Sequence, residues 1–211
     1  MIITDMIEIF IGRGNKKSAY KVYIDDDYAF LLYSRDIKTY QLEAGAEITS
    51  LLYDKIIKET VLRRAKQKAL AILKHMDRTE KELYTKLKAA YYTDEIIESA
   101  MKYLKDYNYI DDERYALNYI RTRKNITSKL VIQYKLSQKG INKDISEKIM
   151  DMEYDSAEED SDPETIAINK AIRKKCKDTD SLTWEEKQKL MASLYRKGFD
   201  MGKINQCLHV K

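Results

Sequence analysis

Helix breakers are almost missing from this chain. Among 211 residues there is one proline, Pro163, and only six glycines. That scarcity excludes collagen-like, linker-like and turn-dense all-β architectures. The two cysteines, Cys176 and Cys207, are far apart and have no metal-ligand spacing, so a disulfide framework is excluded and free thiols in a reducing compartment are expected. No stretch approaches the ~20 apolar residues of a membrane span. The start, Met1-Ile2-Ile3-Thr4-Asp5, lacks the basic stretch and apolar run of a signal peptide. A cytoplasmic protein with no membrane partner is the expectation. Catalytic signatures are missing too. His75 and His209 are the only histidines, and neither adjoins a Cys or Ser in a nucleophile setting. Gly12-Arg13-Gly14 lacks the further glycine, lysine and hydroxyl of a phosphate loop, and no acidic stretch has EF-hand spacing. The chain is therefore not expected to be an enzyme or to hold a metal or cofactor.

What is abundant is charge, at 35% of residues, beside 44% hydrophobic residues. That mixture describes solvated helices with narrow apolar stripes. The net charge of +4 hides a segregated pattern. Residues 1–60 carry 8 basic and 10 acidic side chains, and residues 61–150 carry 20 and 12. Residues 151–165 carry 8 acidic and no basic side chains, and residues 166–211 carry 11 basic and 5 acidic ones. The helical part is thus basic, interrupted by one acidic segment, and suits a polyanion or an acidic protein surface.

A helical unit occurs three times. Its clear copies are Lys135-Leu136-Ser137-Gln138-Lys139-Gly140-Ile141 and Ser193-Leu194-Tyr195-Arg196-Lys197-Gly198-Phe199, and a weaker one is Lys86-Leu87-Lys88-Ala89-Ala90-Tyr91-Tyr92. Leu87, Leu136 and Leu194 are equivalent, and each has an apolar residue four positions upstream (Leu83, Ile132, Leu190), as one helix face requires. Ile96, Ile145 and Ile204 follow, then Ala100, Ile149 and Leu208, an order that points to an array of similar units. Thr79-Glu80-Lys81-Glu82 and Thr183-Trp184-Glu185-Glu186 read as capping boxes, and Thr127 or Ser128 supplies a cap in the second unit. Gly140 and Gly198 stand where a helix should stop in the left-handed conformation. Tyr91, in the equivalent place, would be strained there by ~1 kcal/mol or more, so the first unit is expected to end its second helix differently.

Ahead of the array, residues 1–45 read as β. Ile7–Ile11 alternates, and two further runs flank Asp25-Asp26-Asp27, a hairpin turn; a second turn is expected at Gly12–Lys17. These strands are expected to pack on a helix starting near Thr49 and running to residue 75, with a possible break near residue 60. The organisation expected is an N-terminal β region plus helix (1–60), three-helix units at 61–110, 111–150 and 166–211, and an acidic linker at 151–165. Tyr115 and Tyr119 are expected at core boundaries, and Trp184 over a unit interface. The candidate contacts for an anionic partner are Arg63, Arg64, Lys66 and Lys68; Arg121, Arg123, Lys124 and Lys129; Lys135 and Lys139; Arg173, Lys174 and Lys175; and Arg196 and Lys197. The arginines are favoured, because a guanidinium engages phosphate or carboxylate with two parallel hydrogen bonds.

The ordered series resembles the RecX family, bacterial regulators of the recombinase RecA. The likeness is densest at Leu104-Lys105-Asp106-Tyr107-Asn108-Tyr109-Ile110-Asp111-Asp112-Glu113-Arg114-Tyr115-Ala116 and continues through Tyr119–Arg123 and Leu136–Ile141. Tyr23–Phe30 is similar to the N-terminal hairpin of members from Firmicute-type bacteria. The resemblance implies a mainly α fold, with tandem three-helix units in an elongated curved array and a small N-terminal β region. It also implies a monomer that sits in the groove of the RecA–single-stranded-DNA filament and modulates, most often inhibits, filament growth, ATP hydrolysis and strand exchange in DNA repair. Two other readings of the residues are open: a stand-alone DNA-binding protein, and a helical adaptor of another complex.

Overall fold

The computed structural model describes residues 1–12, 17–155, 162–176, 179 and 181–210. They form two compact units, Met1–Ile110 and Asp111–Lys211. The fold is mainly α, with a three-stranded antiparallel sheet at the N-terminus. No helix among the described residues is long and apolar enough to cross a membrane.

In the first unit, β1 (Ile3–Ile11), β2 (Lys17–Ile24) and β3 (Asp27–Tyr33) pair in chain order. Most of the turn expected between β1 and β2, Arg13–Lys16, lies outside the described residues. The acidic hairpin turn is present, with Asp25 and Asp26 both left-handed at φ 50° and 72°. Neighbouring backbone makes aspartate acceptable there. Ile2 N–H donates to Asp25 Oδ1 at 2.8 Å, and Asp26 N–H donates to Thr4 Oγ1 at 3.0 Å. One face of the sheet contributes Val22, Ile24, Phe30 and Leu32 to a core shared with Ile48, Ile56, Val61 and Ala65.

A short helix α1 (Ser34–Tyr40) precedes a helical run that Thr49 caps by accepting from Leu52 N–H at 3.2 Å. That run comprises α2 (Ser50–Lys55), a π-helical stretch (Ile56–Leu62) and α3 (Arg63–His75). The break suspected near residue 60 is thus a widened turn, not an interruption. Thr60 is buried within it, its hydroxyl paired with that of Tyr40 at 2.7 Å. Ala65 lies in the sheet core, whereas Ala69, one turn on, lies in the core of the first triplet.

That triplet consists of α3 with α4 (Glu80–Lys88) and α5 (Asp94–Asp106), around Leu83, Leu87, Ile97, Met101 and Leu104. In the second unit, α6 (Asp112–Arg123), α7 (Lys129–Gln138) and α8 (Lys143–Tyr154) enclose Ala116, Ile120, Ile132, Leu136 and Met150. The third triplet, α9 (Pro163–Arg173), α10 (Trp184–Tyr195) and α11 (Met201–Leu208), encloses Ala167, Ile168, Leu190, Leu194, Ile204 and Leu208. The capping boxes form at Thr79/Glu82 and Thr183/Glu186, and Ser128 rather than Thr127 caps α7. Asp162 caps α9, with Pro163 in its first turn. Residues 156–161 of the acidic segment lie outside the described residues, and α8 extends into its start.

Three expectations are corrected. First, the register of the last helix in the first two units is one residue further on than Ile96 and Ile145 suggest, whereas Ile204 in the third is in place. The caps of these helices, Thr93, Asn142 and Asp200, stand at one distance from Leu87, Leu136 and Leu194, which aligns Ile97, Ser146 and Ile204. All three are buried. Ser146 satisfies its hydroxyl by donating to Lys143 C=O at 2.8 Å. Second, the first unit ends α4 as the others end α7 and α10. Tyr91 has φ 68°, beside 87° at Gly140 and 79° at Gly198. The closing bonds match as well: Tyr92 N–H to Leu87 C=O at 3.3 Å, Ile141 to Leu136 at 3.1 Å, and Phe199 to Leu194 at 3.4 Å. The left-handed strain is offset by the Tyr28 hydroxyl, which donates to Tyr91 C=O, and by Lys21 Nζ, 4.8 Å from the Tyr91 ring. Third, Trp184 is 71% exposed and covers no interface; its place one residue after the cap points it outward.

Candidate functional site

Geometry sorts the basic residues by what already holds them. Arg64, on α3, is committed: it bonds both oxygens of the buried Asp36, with Nη2 to Oδ1 at 2.8 Å, and lies over the Tyr33 ring at 4.9 Å. Burial acts to raise the Asp36 pKa. The hydrogen bonds from Arg64 and Tyr33 N–H and the charges of Arg64 and Arg35 outweigh it, so the carboxyl sits below its ordinary value. Arg64 thus fastens α3 to α1. On the same helix Arg63 and Lys68 are exposed, and Lys66 Nζ rests 4.2 Å from the Tyr103 ring centre.

In the second triplet, Glu153 engages two of the candidates. Arg121 Nε donates to it at 2.8 Å and Lys124 Nζ at 2.9 Å, and Lys124 also reaches the Glu153 carbonyl at 3.1 Å. Burial would raise the Glu153 pKa, but these two partners hold it below the usual carboxylate range. Lys129 meets Asp151 at 3.4 Å and faces the Tyr154 ring. Arg123, Lys139 and Lys135 lie over Tyr119, Tyr115 and Tyr134 respectively, at 5.8, 5.4 and 5.8 Å. Tyr115 and Tyr119 stack and stand at the core boundary as expected, whereas Tyr107 is exposed. Part of the acidic segment is therefore used within the second unit to neutralise basic side chains of α6 and α7.

Arg173, Lys174 and Lys197 differ from these. They are exposed, and among the described residues none of them is in an ion pair. They border a cleft of about 510 Å³ between the end of α9, the loop after α10 and the segment before α7. Lys170 and Lys175 complete its rim, the latter bonded to Ser193 Oγ at 2.6 Å. Its floor is Ile126, Ala171 and Phe199, and among the described residues no carboxylate lines it. Arg196 lies on the same loop as Lys197, with its Nε donating to Ala192 C=O at 3.3 Å. The loop is held against α7: Ser128 Oγ donates to Lys197 C=O at 2.8 Å, and Gly198 leaves no room for a side chain, since a Cβ would stand 3.0 Å from Ser128 Oγ.

Charge clustering alone passes over Lys170 and Ile126. Lys170 lies one turn before Arg173 and Lys174, a helical signal the sequence does contain; Ile126 has no such signal. The arrangement can bind anions. No group of three or more His, Cys, Asp or Glu residues among the described residues could hold a metal.

Comparison with known proteins accords with this architecture. Models of the first, second and third three-helix domains of RecX match residues 65–104, 111–150 and 165–208. A regulatory protein RecX from Caldanaerobacter subterraneus subsp. tengcongensis is 31% identical over 211 residues, all of both chains. One from Clostridium acetobutylicum is 31% identical over 198 residues, 93% of this chain and 92% of that protein. A crystal structure of regulatory protein RecX aligns over the whole of both chains with a TM-score of 0.62 at 22% identity. The structure of RecX from Lactobacillus salivarius aligns over 70% of this chain and 94% of its own, with a TM-score of 0.58 at 25% identity. With a relative so similar along the entire length and all three helical domains matched in order, this chain belongs to the RecX family of regulatory proteins.

Proposed function

We propose that this protein binds the RecA filament formed on single-stranded DNA and lowers filament growth, ATP hydrolysis and strand exchange. It does so as a cytoplasmic monomer, without catalysis or a cofactor of its own. The observation that carries this reading is family membership along the full chain. The basic surface supports it. A filament of nucleic acid and protein repeats along its axis, and a chain of three similar basic triplets can make several weak contacts in one binding event, raising affinity through effective concentration. The exposed cations at Arg63, Lys68, Arg173, Lys174 and Lys197, none of them in an ion pair among the described residues, are the foremost contacts of this reading. Direct contact with single-stranded DNA is weak and salt-sensitive in it.

The test is a titration of DNA-dependent ATP hydrolysis by the RecA of the same organism. Hydrolysis is expected to fall at substoichiometric amounts of this protein. No change across a full titration would sink the reading. Tight DNA binding without RecA that falls steeply with salt yet persists at ordinary ionic strength would favour a stand-alone DNA-binding role instead.

A further inference from the structure

The cleft in the second unit has a composition that selects among anions. Its rim supplies the positive charges of Lys170, Arg173, Lys174 and Lys197, and among the described residues no acidic side chain lines it. Its floor is apolar. Ile126 is 55% exposed, while Phe199 is 4% exposed and offers no open ring face. Single-stranded nucleic acid is gripped by cations together with exposed aromatic faces on which bases stack. Here the rim suits phosphate, but the floor carries no open aromatic face and no side-chain hydrogen-bonding group to read a base. A peptide uses both parts. An apolar side chain covers the floor, excluding water from it, and carboxylates on either side reach the rim. The exposed Leu130, four residues after Ile126, stands beside Gly198 at the edge of the cleft.

We propose that this cleft is a docking site for an acidic peptide segment that carries an apolar side chain. The apolar side chain sits on Ile126, Ala171 and Phe199, and its carboxylates engage Lys170, Arg173, Lys174 and Lys197. The rim is preorganised because Ser128 holds Lys197 C=O and Gly198 permits the close approach. Assigning the segment to the protein of the filament, and not to its DNA, rests on the function proposed above; the chemistry of the site does not.

The experiment uses the full chain and two labelled probes: a short Asp/Glu peptide with a central Leu-Phe pair, and oligothymidylate. Binding is followed by fluorescence anisotropy, and amide spectra verify that each variant is folded. The peptide is expected to bind and to shift the methyl signals of Ile126 and Ala171. Replacing its Leu-Phe with Ser-Ser is expected to weaken it about fivefold, as is the uncharged Ile126→Ser, and Lys174→Glu with Lys197→Glu about tenfold or more. Ile126→Ser should leave oligothymidylate binding unchanged, and Lys38→Glu in the first unit should leave peptide binding unchanged. The proposal is overturned if the folded charge-reversal variant binds the peptide as the parent does. It is equally overturned if oligothymidylate shifts the same methyl signals more tightly than the peptide, indifferent to the floor. A parent chain that binds the peptide but leaves RecA hydrolysis unchanged would sink the filament reading and keep this site.

Discussion

The first and third triplets end their second helices with the same pair of hydrogen bonds, yet one uses Tyr91 and the other Gly198 in the left-handed position. What differs is the neighbour. Beside the first triplet stands a sheet, and a tyrosine can repay its backbone strain there, because Tyr28 reaches its carbonyl and Lys21 its ring. Burial keeps the Tyr28 phenol protonated well above the usual range, so it stays a donor. Beside the third triplet stands α7, and its Ser128 and Leu130 fill the space that a side chain would need. A repeat thus preserves the bonds that stop a helix, while what surrounds the stop chooses the residue.

That contrast can be broken at several points. Arg64→Ala would strike hardest, because it leaves Asp36 buried without its partner; allowing for the partial exposure of Arg64, about 2–3 kcal/mol of stability should be lost. Hydrogen exchange should locate the loss in Met1–Ile110 alone. The same pair carries a pH signature. The folded pKa of Asp36 is depressed, so its contribution is complete above the unfolded carboxylate value near ~4 and is lost as acid carries the pH down through the folded value. Acid melts of the parent and of Asp36→Asn should converge there; parallel curves would argue against the coupling.

Gly198→Ala comes next. The left-handed strain of about 1–2 kcal/mol adds to displacement of Ser128 from Lys197, for a total near 2 kcal/mol, read by denaturant unfolding. Tyr28→Phe should lose about 1 kcal/mol, the net value of one hydrogen bond to the Tyr91 carbonyl. Smallest of all is Tyr91→Gly. Relief of strain opposes loss of the ring contact, and the melting temperature should scarcely move. A large loss there would mean that the ring, not the backbone, is what the sheet holds.

Much of this fold was legible because the triplets write it in local code. Leu87, Leu136 and Leu194 are all fully buried, and the capping boxes at Thr79 and Thr183 form as read. The last helices of the first two triplets read one residue out of register in the sequence for a definite reason. A buried serine, Ser146, stands where isoleucine stands in the other two, and polarity concealed the position until its bond to Lys143 C=O was seen. The sequence misleads at Tyr91 because the penalty for a left-handed tyrosine is local, whereas its compensation comes from Lys21 and Tyr28, far back in the chain. The site was legible only as a list of charges. Arg64 and Arg121 are held by Asp36 and Glu153, 28 and 32 residues away, and no spacing rule links such partners. Exposed cations and held cations have the same letters; only packing tells them apart.

The widened turn at Ile56–Leu62 has a consequence for how this protein tolerates change. It accommodates a surplus residue inside an unbroken helix, so that Ala65 meets the sheet and Ala69 the first triplet. Winding the same residues as a regular α-helix would turn everything after them by about 100° about the helix axis, the rotation of one residue. Ala65 would then swing away from the sheet while Ala69 moved together with the triplet it packs in. The irregularity acts as a phase adjuster between two cores: a variant forced into regular winding with every residue kept should be the less stable protein, whereas one shortened by the surplus residue should keep both contacts.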